Sequence, residues 1–590
     1  MHSARELLTR WPSFDTAARH ARLANSLEVA PGFLGEIARA QVEAAERAAM
    51  GLWRRDPSAW SGDPAVQRAI ANRLGWLTSP ILMAESLTRL QAFADAVKRD
   101  GFTDVVLLGM GGSSLAPEVL RAVLGVRPGW TQLLVLDSTD PAAVRAAATP
   151  PATTLYVLAS KSGTTIEPNS LAAHFRSRLE QARVPGWSAH FVAITDEGTD
   201  LARRARTERF RDLFINPSDI GGRYSALSFF GLVPAALMGQ DLAGLLGWGT
   251  AMLLASEPMG EIGGNPAVGL GLVMGAAART GRDKLTLLLP PALEAFGVWV
   301  EQLVAESTGK DGVGLVPVVG EPAADPTSAG GDRLRIRVRT ANAHSGGADG
   351  RALNEGHTPV AVIEIPELPA LGAEFVRWEV ATAVAAALLG VNPFDEPNVQ
   401  QAKDATRVLL DAYKAEGAVP AARPDRTLAD AVALTMSTAA RRQLQGGPPE
   451  AVLTLIRPGD YFAVLAFLGP DADLAEALRR FRIAVRAHTG AATTLGYGPR
   501  YLHSTGQLHK GGPDTGVFLL VTAAPADDLP IPGETFSFGT LERAQALGDF
   551  ASLDAAGRRA VHAHLPSPAP RLLRLLIATL LDRLPPLAPA

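Results

Sequence analysis

The chain has 590 residues, 47% of them apolar and 20% charged, which is too long for one hydrophobic core and predicts two or three domains. Its formal charge of −4 excludes the basic footprint of a protein that binds nucleic acid or an anionic membrane, so neither is expected as a partner. Because the sequence has no cysteine, it also excludes disulfides, thiolate nucleophiles and thiolate-ligated metals.

Residues 1–84 are predicted to form a helical N-terminal segment. Apolar residues recur at helical spacing, as at Leu34, Ile37 and Val42, and the sequence to about residue 80 carries no strand pattern. The first 15 residues lack the apolar core of a secretory signal, and the longest uncharged apolar run, 224–240, is broken by Pro234. These features predict a cytoplasmic protein.

Residues 85–245 alternate short β-rich runs with amphipathic stretches, which predicts a doubly wound parallel sheet. The runs are Val105–Leu108, Gln132–Leu136, Thr154–Ala159 and His190–Thr195. Residues 246–420 repeat this pattern and predict a second α/β domain, with strands Leu285–Leu289 and Val360–Ile365, a helix Ala373–Leu389, and loops at 319–332 and 340–357.

Residues 421–590 predict a third, α+β unit. Its strand candidates are Ala451–Ile456, Tyr461–Phe467 and Val517–Val521, and a helix is expected near Leu474 to His488.

A glycine-rich turn follows the first strand, at Gly109-Met-Gly-Gly-Ser-Ser114. Backbone N–H groups and a helix N-terminus favour an anion there, so Gly112 and Ser113 are candidate phosphate ligands. Tight packing explains the glycines equally well. A dinucleotide site is a third reading, but Ser114 stands where a third glycine is needed and Asp137 lies rather far downstream.

A second turn, after the third strand, gathers four hydroxyls and one ammonium. Hydroxyls and exposed amides wrap phosphate oxygens well, whereas the alternative is a Ser/Thr-rich helix cap. Only seven lysines occur among 56 basic residues, so a lysine kept here indicates a needed point charge. The candidate ligands are Ser160, Lys161, Ser162 and Thr165.

Two further segments carry acid–base and charge-stabilising groups. Arg223 follows two glycines, where its permanent charge suits an oxyanion, although a solvated surface turn has the same pattern. Gln302 and Glu306 lie four apart on a helix that ends at Gly309, and Glu306 is a candidate general base or else an ordinary solvated carboxylate.

Taken together and in this order, four motifs resemble phosphoglucose isomerase over residues 85–410. They are Gly109-Met-Gly-Gly-Ser-Ser, Ser160-Lys-Ser-Gly-Thr-Thr, Gly221-Gly-Arg-Tyr-Ser and Glu306-Ser-Thr-Gly-Lys. The segments around Leu52-Trp53 and Tyr501-Leu-His-Ser-Thr-Gly-Gln507 are similar to the isomerase half of bifunctional transaldolase–isomerase proteins, without a transaldolase half.

The resemblance implies two sugar-isomerase domains and cofactor-free, metal-free isomerisation of glucose 6-phosphate and fructose 6-phosphate through a cis-enediol. Gly112, Ser113 and the second turn would hold the 6-phosphate. Arg223 would stabilise the enediolate, Glu306 would move the proton between C1 and C2, and Gln302 would contact the substrate. Lys403 matches the lysine that assists ring opening, and Glu396 stands where the family usually has glutamine.

One departure concerns the family's ring-opening histidine, which is missing between Glu306 and Lys403. Neither His344 nor His357 has its setting, which appears instead at His503-Ser-Thr-Gly-Gln507. We therefore expect His503 to work with Lys403, and His509 and Lys510 lie close enough in sequence to compete for this role. In conventional members of the family a neighbouring subunit supplies this histidine. The sequence therefore leaves open whether His503 acts within its own chain or across a homodimer.

Two other functions fit parts of this pattern. The same site could isomerise mannose 6-phosphate as well, and the sequence does not distinguish the two sugars. A non-catalytic phosphosugar-binding regulator would be expected to lose Glu306, Arg223 or Lys403 and to gain a DNA-binding motif, whereas all three residues remain.

Overall fold

The computed structural model describes residues 15–260, 262–321, 330–341 and 360–585. The helices are α1 Thr16–Leu23, α2 Pro31–Glu36, α3 Arg39–Arg54, α4 Pro64–Ala71, α5 Ser79–Ala84, α6 Leu87–Arg99, α7 Leu115–Leu124, α8 Pro141–Ala146, α9 Ile166–Gln181, α10 Asp200–Thr207, α11 Phe229–Leu237, α12 Leu242–Ala255, α13 Val268–Arg279, α14 Glu294–Thr308, α15 Leu371–Leu389, α16 Pro397–Glu416, α17 Thr438–Gln443, α18 Ala472–Thr489, α19 Gly506–Gly511, α20 Phe538–Ala555 and α21 Pro570–Leu581.

The strands are β1 Leu27–Val29, β2 Asp104–Leu108, β3 Gln132–Leu136, β4 Thr154–Ala159, β5 Phe191–Asp196, β6 Asp212–Asn216, β7 Lys284–Leu288, β8 Val316–Val318, β9 Arg333–Thr340, β10 Ala361–Ile365, β11 Arg426–Thr427, β12 Ala433–Met436, β13 Tyr461–Phe467, β14 Ala492–Tyr497, β15 Gly516–Ala523 and β16 Arg559–Leu565. None of the helices within the described ranges is long and apolar enough to span a bilayer.

The first sheet has the order β3-β2-β4-β5-β6, with every neighbouring pair parallel. Its central strand β4 is buried along its whole length, as expected for a parallel sheet covered on both faces. The order reverses direction around β2 and β4. The turns after these two strands therefore meet at a switch point, where open α/β sheets bind ligands.

The second sheet has the order β1-β10-β9-β7-β8, and only β1 is antiparallel to its neighbour. The predicted doubly wound α/β class is confirmed. The expectation of no strand before residue 80 is wrong, because three residues of β1 extend the edge of a sheet built from distant sequence. Much of the predicted loops at 319–332 and 340–357, including His344 and His357, lies outside the described residues.

The third sheet has the order β11-β12-β16-β15-β13-β14. The four strands from β16 to β14 are parallel, and β11 and β12 are antiparallel additions. The predicted strand Ala451–Ile456 is wrong: Pro449–Leu455 is a 3₁₀ helix. Pro449 favours the first helical turn, and Val452 and Leu455, three residues apart, are both buried in the core of this unit.

The C-terminal unit packs against both earlier sheets. On one side, Ala305 of α14 and Val316 of β8 share a core with Leu502 and Leu508. On the other side, helix α20 packs beside α9 through a second apolar cluster. The segment containing residues 502–508 is therefore held between the first and second sheets. The proposed boundaries at residues 84, 245 and 420 remain predictions.

Candidate active site

The glycine-rich turn after β2 is a point where three segments come into contact. Gly111 has a φ of +53°, and a Cβ there would lie 2.7 Å from the carbonyl oxygen of His503. A Cβ on Gly112 would lie 2.1 Å from the carbonyl oxygen of Gly222. Glycine is required at both positions because the backbones approach too closely for any side chain. Ser113, in the same turn, is buried.

The hydroxyl-rich turn after β4 holds its own shape and leaves part of its polar surface open. Ser160 Oγ accepts a hydrogen bond from the Gly163 amide at 3.1 Å and donates to Thr165 Oγ1 at 3.2 Å. Lys161 Nζ forms an ion pair with Asp196 and donates to the carbonyl oxygen of Ser218 at 3.0 Å. Ser162 is exposed. Its Oγ accepts from the amide and the hydroxyl of Thr164, at 3.3 and 3.1 Å, which leaves its own O–H to donate outward. This combination of fixed backbone and exposed hydroxyl suits an anionic ligand.

Arg223 is buried and its guanidinium is held on several sides. Its Nε donates to Ser307 Oγ at 2.8 Å, and its Nη2 donates to the carbonyl oxygens of Pro393 and Asp395 at 2.6 and 2.9 Å. Its remaining nitrogen, Nη1, faces two carboxylates, Glu306 Oε1 at 3.4 Å and Glu396 Oε2 at 3.0 Å. The charge is therefore fixed in direction and available beside Glu306.

Glu306 lies near the end of α14 with a 7% exposed surface. Gln302 donates from Nε2 to Glu306 Oε2 at 3.2 Å, which confirms the shared helix face. Burial raises the pKa of Glu306, and a negative charge on Glu396 raises it further, while Arg223, His503 and Lys310 oppose the rise. A carboxylate whose proton affinity is raised is better suited to accept a proton near neutral pH.

Lys310 adds a second cation behind Arg223. Its ammonium is buried, donates to the carbonyl oxygen of Asn392, and pairs with Asp395 Oδ1 at 2.7 Å. Burial and the neighbouring charge of Arg223 lower the pKa of Lys310 to about 8. Lys310 thus fixes the loop that also holds Arg223.

His503 reaches this site within the same chain, from the end of a 3₁₀ turn in the C-terminal unit, Arg500–His503. Its carbonyl oxygen accepts from Gln302 Nε2 at 2.8 Å, and its ring Nε2 lies 2.9 Å from Glu167 Oε1. These contacts connect the segment to both earlier sheets. The other two candidates of this segment are used elsewhere: His509 faces the hydroxyl of Tyr461 at 3.1 Å and Lys510 pairs with Asp549 at 2.5 Å.

Glu167 was not identified from the sequence. It lies at the start of α9, two residues after Thr165, and is almost fully buried. Burial alone would raise the pKa of Glu167, but a positive charge on His503, their hydrogen bond and the charge of Lys403 lower it overall. Its place directly after the hydroxyl turn was the only available signal, and a carboxylate in a first helical turn is usually explained by the helix dipole.

Lys403 occupies the second turn of α16 with an exposed side chain. Across the described part of the chain it forms no hydrogen bond or ion pair, with His503 or with any other residue. The two residues instead share an influence on Glu167. Glu396, just before α16, is half exposed and paired with Arg223.

The ion pair between Arg500 and Asp137 was also not identified from the sequence. Arg500 donates to both carboxylate oxygens of Asp137, each at 2.7 Å, and Asp137 also accepts from Ser114 Oγ at 3.1 Å. This pair connects the segment before His503 to the glycine-rich turn. Both carboxylate oxygens of Asp137 are therefore engaged by an arginine of the same chain.

The arrangement brings together a base, a fixed cation, an imidazole with its carboxylate partner, and a turn suited to a phosphate. Among the residues that the structure describes, no group of three or more His, Asp or Glu side chains is placed to hold a metal ion. The chemistry that these groups support is proton transfer on an anionic, oxygen-rich substrate.

Comparisons with known proteins agree with this chemistry. Residues 88–313 match the family model for phosphoglucose isomerase. A glucose-6-phosphate isomerase of Rubrobacter xylanophilus is 31% identical over 438 residues, covering 65% of this chain and 95% of that relative. A probable glucose-6-phosphate isomerase of Haloarcula marismortui is 31% identical over 345 residues, covering 52% of this chain and 78% of the relative.

Among solved structures, a hypothetical protein of Thermus thermophilus superposes with a TM-score of 0.54 and 26% identity, covering 65% of this chain and 99% of that one. The match to the relative from Rubrobacter covers 95% of that relative, and the family model spans the segments that carry Arg223 and Glu306. The chain is a member of the phosphoglucose isomerase family.

Proposed function

We propose that the chain interconverts glucose 6-phosphate and fructose 6-phosphate. The observation that supports this most directly is the buried pair of Glu306 and Arg223, 3.4 Å apart. One group removes a proton, and the other carries the positive charge that the resulting enediolate needs. Relatives named glucose-6-phosphate isomerase supply the identity of the substrate.

The 6-phosphate binds at the two turns of the first sheet. The exposed hydroxyl of Ser162 and the backbone amides at the start of α9 present donors to its oxygens, with Ser160, Lys161 and Thr165 forming the walls. The ammonium of Lys161 adds charge, although Asp196 shares it. Gly112 and Ser113 complete the cradle from the neighbouring turn.

Ring opening uses His503 and Lys403 as an acid–base pair. One group donates a proton to the ring oxygen as the C1–O5 bond breaks, while the other accepts the proton of the C1 hydroxyl. The bonding electrons of C1–O5 pass to the ring oxygen, and C1 becomes a carbonyl carbon. Glu167 stabilises the protonated imidazole and fixes its direction through the 2.9 Å contact.

Isomerisation of the open chain uses Glu306 and Arg223. The Glu306 carboxylate removes the proton from C2, the C–H electrons form the C1–C2 double bond, and negative charge develops on O1 beside Arg223. Glu306 then returns the proton to C1 while the O2 proton is passed to O1, which gives the ketose. Gln302 orients the base through its amide.

A coupled assay tests this proposal. The purified chain should convert glucose 6-phosphate into fructose 6-phosphate, detected through a product-specific dehydrogenase or kinase, without added cofactor. The same assay with mannose 6-phosphate decides whether the site accepts both C2 epimers. A protein that is folded but inactive on both sugars would contradict the proposal. The cytoplasmic location and the oligomeric state stay predictions from the sequence.

A further inference from the structure

Helix α20, in the C-terminal unit, carries four buried polar residues along one face, Glu542, Gln545, Asp549 and Ser552, and two of them have partners beside the site. Gln545 and Asp549 are four apart and therefore neighbours on the helix surface, and they are 3% and 1% exposed. Glutamine and aspartate are not typical of a helix face that packs against an apolar core. Buried polar groups persist where they are satisfied by specific partners, so their partners indicate their purpose.

Gln545 has both ends of its amide occupied. Its Oε1 accepts from Thr139 Oγ1 at 2.9 Å, and its Nε2 donates to Glu167 Oε1 at 2.7 Å. The same oxygen of Glu167 meets the ring of His503 at 2.9 Å. The amide therefore fixes the carboxylate that in turn fixes the imidazole.

Asp549 holds the backbone segment that carries His503, through residues on either side of that histidine. It accepts from the hydroxyl of Tyr501 at 2.6 Å and from Lys510 Nζ at 2.5 Å. Tyr501 lies two residues before His503 and Lys510 lies seven residues after it. Both partners are almost fully buried, so the segment that carries His503 is fastened to α20 on either side.

We propose that α20 is the positioning element of the site: Gln545 sets the direction of the His503 ring through Glu167, and Asp549 sets its backbone through Tyr501 and Lys510. Gln545 and Asp549 are positioning residues, since they act through other residues of the chain. This inference rests on the proposed ring-opening role of His503. It predicts that damage to either contact is transmitted to catalysis only while His503 is present.

The first test is a double-mutant cycle on turnover of cyclic glucose 6-phosphate. Gln545→Leu keeps the side-chain volume and removes the amide, and we expect kcat to fall roughly tenfold with little change in KM. In a His503→Ala background the same substitution should have almost no further effect. Equal losses in both backgrounds would overturn the proposal, because they would show that Gln545 acts independently of His503.

Matched variants separate positioning from general stability. Ser552→Ala removes a buried hydroxyl from the same helix. Among the described residues its one hydrogen bond is to the carbonyl oxygen of Gly548 in that helix, so the substitution should leave kcat unchanged. Thr139→Val and Tyr501→Phe each remove one hydroxyl at the edge of the network and should lower kcat by roughly twofold to fivefold. These milder variants keep the test open if Gln545→Leu does not fold.

An NMR measurement tests the geometry without activity. The imidazole signals of His503, assigned by their loss in His503→Ala, should shift in Gln545→Leu and Tyr501→Phe but not in Ser552→Ala. Unchanged signals in both would overturn the proposal even for an active enzyme. Conversely, a wild-type protein without isomerase activity but with these shifts would contradict the proposed function while leaving the positioning role intact.

Discussion

The two parallel sheets before residue 420 and the unit after it contribute to the site in different ways. In the sheet domains, functional groups lie just after strands or near helix ends. Ser160 follows β4, Arg223 lies in the turn after β6, and Glu306 lies near the end of α14, 3.4 Å from Arg223. The C-terminal unit contributes one short turn, held by partners on other elements. The comparison indicates that the sheet domains carry their functional groups at the ends of strands and helices. The C-terminal unit instead places His503 through polar contacts with residues far away in the sequence.

The largest effect is expected at the base supplied by the sheets. Glu306→Gln should reduce exchange of the substrate C2 proton with solvent by roughly 10³-fold or more, because the amide accepts no proton. The measurement is deuterium loss from C2-labelled substrate. Glu301→Gln on the same helix is the matched control and should retain exchange. Near-normal exchange in Glu306→Gln would exclude it as the base.

The next effect belongs to the C-terminal unit. His503→Ala should lower turnover of cyclic substrate by roughly 10²-fold, the usual loss for an acid–base group. A substrate locked in the open chain should be affected much less. His488→Ala is the control, because the His488 ring is hydrogen-bonded to the carbonyl oxygen of Ala484 in its own helix at 2.8 Å. Full activity of His503→Ala on the cyclic sugar would place ring opening elsewhere.

A weaker effect is expected from the contact that joins the two regions. Arg500→Gln leaves Asp137 buried without its bidentate partner, which should destabilise the protein by about 2 kcal/mol and lower turnover by loosening His503. Thermal unfolding and kcat measured on the same sample test both effects. Arg479→Gln, which removes an exposed pair with Glu476, should change neither. An unchanged unfolding temperature and an unchanged kcat in Arg500→Gln would show that the pair of Arg500 and Asp137 does not connect the two regions.

The charge of Glu396 should affect pH dependence more than rate. Because its negative charge raises the pKa of Glu306, Glu396→Gln should lower that pKa. The base is then ionised at lower pH, so the acidic limb of kcat/KM should move toward lower pH. An acidic limb that stays in place or moves upward would show that Glu396 does not act on Glu306.

No effect is expected from chelation. Since Arg223 supplies the positive charge for the enediolate, activity should survive exhaustive treatment with a chelator. Activity that disappears and then returns with zinc or manganese would contradict this mechanism.

Local elements were predicted from the sequence better than contacts between distant residues, for a physical reason. Strand β4 and the turn after it are specified by consecutive residues, so the strand bounds were predicted correctly. In contrast, β9 alternates arginine with buried Leu334, Ile336 and Val338 and was not predicted as a strand. Glu167 and Gln545 were missed because their importance depends on partners hundreds of positions away, and no local pattern marks such a contact.

The contact between His503 and Glu167 also has a consequence for how the chain matures. It closes a separation of 336 residues, and the bond from Gln302 to the same histidine closes 201. Contacts this distant form slowly, because the intervening chain must be ordered first. During synthesis the phosphate turns and Glu306 emerge long before His503. A nascent or truncated chain would therefore hold the groups for proton transfer while lacking those for ring opening, and it would gain action on cyclic sugar only when the final unit docks.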